Sequence, residues 1–146
     1  MRTFFGAEPK QVVGQAERGR VARVDMTFGG MLMFSEGRLG VFSSSFRTAL
    51  DWGVEIAGTQ GRILVPSPWK PDGRLASFMV EANGKNETVL IKDGRGIYHC
   101  EVDHFSRCVL EGRPLALPPE EGLKNMRVIE ALHRSARRGQ VVRIKA

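Results

Sequence analysis

The chain has 146 residues, of which 42% are hydrophobic and 26% charged, a composition typical of one soluble globular domain and unlike that of a disordered segment. No apolar run approaches the roughly 20 residues of a membrane-spanning helix, and the opening segment MRTFFGAEPK has no apolar signal region. We therefore expect a cytoplasmic protein that neither crosses a membrane nor carries a secretory signal.

The net charge of +6 and the isoelectric point of about 9.9 raise the possibility of a nucleic-acid-binding protein. The basic residues are scattered, however, and their only cluster is Arg134, Arg137 and Arg138. This cluster falls in the last turn of a predicted helix, where cations complement the helix dipole. A structural role is favoured there, and no nucleic-acid partner is expected.

From Pro9 to Leu90 the sequence is dominated by β patterns. Gly29-Gly30 is interpreted as a bulge inside one long strand, because apolar residues continue beyond it. Ser35–Arg38 and the Asn-Gly of NGKN are typical hairpin turns. Strands are predicted over Arg20–Phe28 continuing through Met31–Phe34, over Leu39–Phe46, over the two arms around Gly58–Gly61, over Ser77–Ala82 and over Glu87–Lys92.

Helical spacing begins after Lys92. Four apolar residues at intervals of four, three and four predict an amphipathic helix that Gly112 ends: Tyr98, Val102, Phe105 and Val109. Cys100 and Cys108 would lie about 12 Å apart on this helix, too far for a disulfide.

A second helix is predicted from Pro118-Pro119 to a cap at Gly139, followed by a short strand at Val141–Ile144. Its buried stripe is predicted to be Gly122, Met126, Ile129, Leu132 or His133, and Ala136. Lys124, Arg127, Arg134 and Arg138 would face away from the core.

These elements predict an α+β fold for one domain over residues 1–146: a largely antiparallel open sheet of about six to seven strands with two helices on one face. Two helices cannot cover both faces of so wide a sheet. Yet MLMF (Met31–Phe34) is apolar on both sides, as a doubly covered sheet requires. The uncovered face therefore needs a second copy or another domain.

No constellation of residues forms a complete active site. Gly94-x-Gly96 before a helix resembles a phosphate-binding loop, but His99 occupies the third glycine position and no second parallel strand follows. Glu101 and His104 are three residues apart, which favours an ordinary hydrogen bond over an acid–base pair. No His or Cys pair has metal-ligand spacing. We expect no catalytic, cofactor-binding or metal residue in this chain.

Four strings in order resemble the C-terminal α/β domain of the Gfo/Idh/MocA family of NAD(P)-dependent oxidoreductases, which is glyceraldehyde-3-phosphate dehydrogenase-like. FFGAEPKQV resembles the exit from that family's active-site helix, and VEIAGTQGRILV its Gly-Thr-x-Gly hairpin. YHCEVDHFSRCVLEGRPL resembles its Tyr-x-x-Glu helix, and ALHRSARRGQVVRI its closing helix and strand. The matching pieces span nearly the whole chain.

The resemblance implies that NAD or NADP is bound by an N-terminal Rossmann domain, and that the acid–base residues precede the first residue of this chain. What remains is the substrate-side and oligomerisation part of an enzyme for a sugar, polyol or related hydroxy compound, inactive alone and dimeric through its open sheet face. The alternative is a stand-alone self-associating module without catalysis.

The segment PSPWKP (Pro66–Pro71) follows the Gly-Thr-Gln-Gly hairpin. By itself it is a stiff crossing between strands. In the dihydrodiol dehydrogenase-like branch of the family, the corresponding segment carries an aromatic residue that faces the substrate. The resemblance therefore implies that Trp69 touches the substrate, with Lys70 and Tyr98 behind it.

Overall fold

A computed structural model describes residues 1–21, 24–50, 52–69, 75–92 and 95–144. The chain divides into two compact units, Met1–Thr48 with Leu117–Ala146, and Ala49–Ala116. The elements in chain order are α1 (Arg2–Phe5), β1 (Gln11–Arg18), β2 (Asp25–Met33), a 3₁₀ turn (Ser35–Gly37), β3 (Leu39–Ser45), β4 (Val54–Gly58), β5 (Gly61–Val65), β6 (Leu75–Ala82), β7 (Lys85–Lys92), α2 (Ile97–Glu111), α3 (Pro119–Arg138) and β8 (Val142–Arg143).

The strands form two four-stranded sheets, ordered β3-β2-β1-β8 in the first unit and β4-β5-β6-β7 in the second. All described strand pairs are antiparallel. The predicted α+β class with an antiparallel sheet is confirmed, although the strands are divided between two sheets. β1 was not predicted as a separate strand, because QVVGQAER does not alternate regularly.

The core of the first unit lies between α3 and one face of its sheet. Its buried side chains come from β1, β2, the turn after β2, and α3: Val12, Phe28, Leu32, Phe34, Val128, Ala131 and Leu132. The ends of α3 agree with the prediction, since Pro119 opens the helix and Gly139 caps it in the left-handed conformation at φ 62°.

The buried stripe predicted for α3 is confirmed at Leu132, which is buried, and at Ala136, which packs against the core, but it is wrong at Gly122, Met126 and Ile129. Met126 is 52% exposed and Ile129 36% exposed, whereas Ala131 and Ser135 are fully enclosed. The prediction chose the most apolar face of the helix. The sheet instead receives Val128, Ala131, Leu132 and Ser135. Ala131 and Ser135 are small, which permits the close approach of the two backbones.

That close approach is centred on Gly14 of β1. A Cβ atom built at Gly14 would lie 2.5 Å from the carbonyl oxygen of Leu132, so only glycine fits under α3. The Gly14 N–H donates to Ser135 Oγ over 3.0 Å, and Ser135 Oγ donates to the Gln140 carbonyl over 2.6 Å. β8 pairs with β1 only at Gln11 and Val12, so the Gly14 N–H has no partner on β8. Ser135 Oγ accepts this N–H instead.

The predicted bulge at Gly29-Gly30 is also wrong. Both glycines keep regular register with β1, and the irregularity lies between Glu17 and Arg18. β2 is nevertheless one continuous strand through Met33, as predicted. Gly30 has a packing reason instead, since a Cβ there would lie 2.5 Å from the Phe42 ring and 2.9 Å from Leu132.

The opposite face of the first sheet is apolar and is not covered in the described part of the chain. Strand register places one row of apolar side chains there. Four of them are 36–66% exposed, namely Val13, Met31, Leu39 and Val41, and Met33 in the same row is half-buried. This face carries the outward residues of MLMF, so the expectation of an uncovered apolar sheet face is met.

The second unit has almost no buried core of its own. β4–β5 and β6–β7 form the two predicted hairpins. Among its described residues only Cys108 is buried. The four apolar residues of the predicted α2 stripe are 58–72% exposed: Tyr98, Val102, Phe105 and Val109. The helix ends at Gly112 as predicted, but its apolar face points to solvent.

The contact at Gly14 gives a test of the packing. We expect Gly14→Ala to lower the free energy of unfolding by about 1–3 kcal/mol or more, because the new methyl group forces α3 away from β1. Urea unfolding followed by circular dichroism measures this change.

Gly29→Ala is the matched control, since its Cβ would meet nothing closer than the Phe42 carbonyl oxygen at 3.8 Å. It should change the free energy of unfolding by less than about 1 kcal/mol. Equal losses in the two variants would contradict the proposed role of the close approach.

Candidate functional site

The residues predicted to face a substrate belong to the second unit. Trp69 follows β5 after the Pro66-Ser67-Pro68 segment and is 71% exposed. Tyr98 lies in the first turn of α2 and is 72% exposed. Lys70 lies outside the described residues. Within the described ranges neither aromatic ring makes a ring contact or hydrogen bond, so their role in substrate binding stays a prediction.

A cleft of about 460 Å³ lies between the tips of the two hairpins. It is lined by the Gly-Thr-Gln-Gly turn and by the Asn83-Gly84 turn. Gly61 is required here, because a Cβ would lie 2.1 Å from the Glu81 carbonyl oxygen. Arg62 donates to the Glu81 carboxylate, which raises the pKa of its guanidinium, and weakly to Glu55 at 3.4 Å. The guanidinium group of Arg62 is therefore already paired with carboxylates at this junction of the turns.

His104 on α2 contacts the segment that follows the helix. Its Nε2 accepts the Ala116 N–H over 3.2 Å. The Cys108 thiol lies 3.5 Å from the same nitrogen and donates to the Pro114 carbonyl over 3.5 Å. The hydrogen bond considered between Glu101 and His104 is not formed. His104 instead holds the end of α2 against residues 114–116.

The described residues do not form a Rossmann-type dinucleotide-binding fold. A dinucleotide-binding fold needs parallel strands joined through a helix, whereas every strand pair described is antiparallel. Both cysteines are free thiols. Within the described ranges no group of three His, Cys, Asp or Glu side chains could hold a metal ion, and none of the helices is long and apolar enough to cross a membrane.

Sequence reasoning located only part of the basic surface. Arg134 and Arg138 line a groove of about 640 Å³ beside β8, but Arg137 of the predicted cluster does not. Arg127 and Arg143 line the groove in its place. The spacing of Arg127, Arg134 and Arg138 at seven and four residues already puts them on one helical face. Arg143 borders the groove from β8, and its side chain alternates with those of Val142 and Ile144, which pack against the core.

Comparison with known proteins gives the family. The family described as "Oxidoreductase family, C-terminal alpha/beta domain", of the Gfo/Idh/MocA group, matches residues 1–144. An uncharacterised oxidoreductase of Rhizobium meliloti is 30% identical over 143 residues, which cover 94% of this chain and 43% of that protein. A D-xylose 1-dehydrogenase (NADP(+)) of Haloferax volcanii is 27% identical over 143 residues, covering 98% of this chain and 44% of that protein.

Solved structures share the fold. An aldose-aldose oxidoreductase from Caulobacter crescentus, complexed with glycerol, superposes with a TM-score of 0.86 at 24% identity, over 97% of this chain and 43% of that one. An oxidoreductase from Agrobacterium radiobacter, in complex with NAD+, L-tartaric acid and magnesium, superposes with a TM-score of 0.73 at 17% identity, over 98% of this chain and 45% of that one.

The chain thus spans less than half the length of the relatives that it matches. The family match, by contrast, covers nearly every residue of the chain. The four resembling strings, the antiparallel α+β fold and this match agree. The chain belongs to the Gfo/Idh/MocA oxidoreductase family and corresponds to its C-terminal α/β domain.

Proposed function

We propose that this chain is the substrate-side and oligomerisation part of an NAD(P)-dependent oxidoreductase acting on a sugar, polyol or related hydroxy compound, and that the chain alone is inactive. The observation that carries this proposal is the outward apolar face of α2, in a chain that matches less than half of its relatives' length. Two relatives named above act on aldoses by their names, which supports a sugar-type substrate.

The apolar stripe of α2 is a contact surface for another polypeptide. Its residues Val102, Phe105 and Val109 lie at helical spacing, and each would contribute about 1.5–3 kcal/mol on full burial, whereas Tyr98 at the start of the helix is left for the substrate. An amphipathic helix such as α2 is stable in water only when its apolar face is covered. The N-terminal part present in the longer relatives supplies the cover, and in this proposal that part also binds the cofactor.

Trp69 and Tyr98 give the substrate its aromatic wall, with Lys70 beside Trp69 in sequence. An indole ring offers a flat apolar surface to the C–H faces of a sugar, while an ammonium group donates to its hydroxyls. The large exposure of Trp69 leaves its ring free for such a contact.

The uncovered face of the first sheet is the surface through which two copies associate. Its central residues, Met31 and Val41, lie directly opposite each other on adjacent strands. An isologous dimer would place the same apolar row from each copy face to face. This arrangement accounts for the exposed MLMF residues without a further domain on that side.

The first prediction concerns activity. The chain alone should bind neither NADPH nor NADH saturably in a fluorescence titration and should not oxidise D-xylose. A chimera that joins the N-terminal part of the Haloferax volcanii D-xylose dehydrogenase to this chain should reduce NADP+ in the presence of an aldose. Val102→Glu with Phe105→Glu should abolish that activity, because two charges would enter the α2 contact.

Val21→Glu is the control, since Val21 is 98% exposed and lies outside α2. Saturable NADPH binding by the isolated chain would overturn the proposed inactivity. A folded chimera, verified by circular dichroism, that oxidises no aldose or polyol would overturn the proposed substrate-side role and leave the self-associating module.

A second prediction concerns Trp69. In the active chimera, Trp69→Ala should raise KM for the aldose by about tenfold and change kcat less, because a stacking contact in the ground state is lost. Trp52→Ala removes the other tryptophan of the chain, which is 41% exposed and belongs to no proposed site. An equal rise of KM in both variants would speak against a substrate contact at Trp69.

A third prediction concerns association. Sedimentation equilibrium of the chain should give a monomer–dimer equilibrium, and Met31→Glu with Val41→Glu should raise the dimer dissociation constant by at least about tenfold, since the change buries unpaired carboxylates. Val21→Glu should leave it unchanged. A wild-type chain that stays monomeric at every concentration tested would refute dimerisation through this face.

A further inference from the structure

The side chain of Arg2 joins α1 to two other segments of the first unit. Its Nε and Nη2 donate to the two carboxylate oxygens of Glu8 over 2.8 and 2.6 Å, which forms a bidentate pair. Nη2 also donates to Glu121 Oε2 over 2.8 Å, and Nη1 donates to the Glu121 carbonyl over 3.4 Å. The Arg2 side chain is only 12% exposed, so this arrangement differs from an ordinary ion pair on the surface.

Each side chain in this arrangement has an opposite charge in contact. Lys124 donates to the other carboxylate oxygen of Glu121 over 2.7 Å. The hydrogen bond from Arg2 lowers the pKa of Glu8, so this pair stays ionised at neutral pH. We call Arg2, Glu8, Glu121 and Lys124 the Arg2 network. The network attaches α1 to the first turn of α3.

Further contacts attach α1 to the hairpin of β2 and β3. The rings of Phe5 and Phe34 pack with their centroids 4.6 Å apart, and Arg38 donates to the Phe5 carbonyl over 3.1 Å. The Met1 sulfur lies so close to Gly40 of β3 that a Cβ atom there would be 2.5 Å away. A helix of four residues is not stable by itself in water. These contacts and the Arg2 network therefore maintain α1.

The two ends of α1 differ. At the C-terminal end Gly6 adopts the left-handed conformation at φ 55°, and the N–H groups of Gly6 and Ala7 donate to carbonyls of the helix. At the N-terminal end Met1 supplies no side-chain cap, although its carbonyl accepts the Phe5 N–H over 3.1 Å. This combination is typical of the last turn of a helix. Burial lowers the pKa of the Met1 amino group, a cost that a peptide bond in its place would remove.

We infer that Arg2 is a positioning residue of the oxidoreductase, because it fixes the direction in which the preceding polypeptide joins this domain. The inference rests on the function proposed above, in which the N-terminal part binds the cofactor and this chain binds the substrate. The segment between the two parts sets the distance between cofactor and substrate. A misplacement of about 1 Å can lower the rate of a reaction by up to about 100-fold. Arginine suits this task because its planar fork bonds carboxylates in fixed directions.

The first experiment uses the isolated chain and does not depend on activity. Hydrogen exchange of three amides that donate within α1, followed by NMR, should become at least about tenfold faster in Arg2→Gln, because α1 opens more often without the network. These amides belong to Phe5, Gly6 and Ala7. Glu8→Gln should accelerate the same exchange, although it keeps the arginine.

Arg47→Gln is the matched control for this measurement. It removes an arginine that is paired with Glu17 in the same unit but does not contact α1. Exchange of the three α1 amides should stay within about twofold of the wild-type chain, since the network is intact. Circular dichroism should show that all three variants keep the fold.

The second experiment uses the chimera described above. Arg2→Gln should lower kcat by at least about tenfold and change KM for the aldose less than about threefold, because alignment acts on the chemical step. Arg2→Lys should recover part of the loss, since a lysine keeps the charge but cannot form the bidentate pair. Arg47→Gln should leave kcat unchanged, and NADP+ should bind all three variants equally.

Several outcomes would overturn the inference. Unchanged exchange of the α1 amides in Arg2→Gln would show that the network does not hold the helix. Faster exchange with wild-type kcat in the chimera would assign the network to stability alone, as would equal losses of kcat in Arg2→Gln and Arg47→Gln. A folded wild-type chimera without activity would overturn the proposed function and, with it, the catalytic consequence of Arg2, whereas the exchange data on the isolated chain would still decide whether Arg2 holds α1.

Discussion

The fold of the first unit depends on one close contact, that of α3 with β1 at Gly14. Because Gly14 has no side chain, the Leu132 carbonyl can approach the strand. Ser135 Oγ links the Gly14 N–H to the Gln140 carbonyl, at a position where β8 does not pair with β1. A buried N–H without a partner is costly, so this link determines both the height and the rotation of α3. The covered face of the sheet and the outward face of the helix both follow from it.

Two surfaces result from that placement. With α3 on one side, the row containing Met31 and Val41 remains open on the other side of the sheet. With Ala131 and Ser135 turned inward, Arg127, Arg134 and Arg138 are turned together toward β8. The proposed dimer face and the exposed arginine face of α3 are thus consequences of a single packing choice.

The second unit follows a different principle, because it contains hairpins and a helix but almost no enclosed side chains. Hairpins of this kind can be predicted from local signals, since Gly58–Gly61 and Asn83-Gly84 specify tight turns independently of distant contacts. The stripe of Tyr98, Val102, Phe105 and Val109 was predictable as a helical face for the same reason. Its exposure was not, because the sequence pattern shows that a face is apolar but not whether this chain provides the cover.

The sequence by itself determined the α+β class, the ends of both long helices, the hairpins and the family, because caps, turns and periodicity are local and the four family strings lie in order along the chain. It could not determine the face of α3 that is buried or the reason for Gly30. Those depend on contacts between residues far apart in sequence, such as Gly14 with Ser135. Only the tertiary structure decides them, since the steric fit at Gly14 sets which residues of α3 face the sheet.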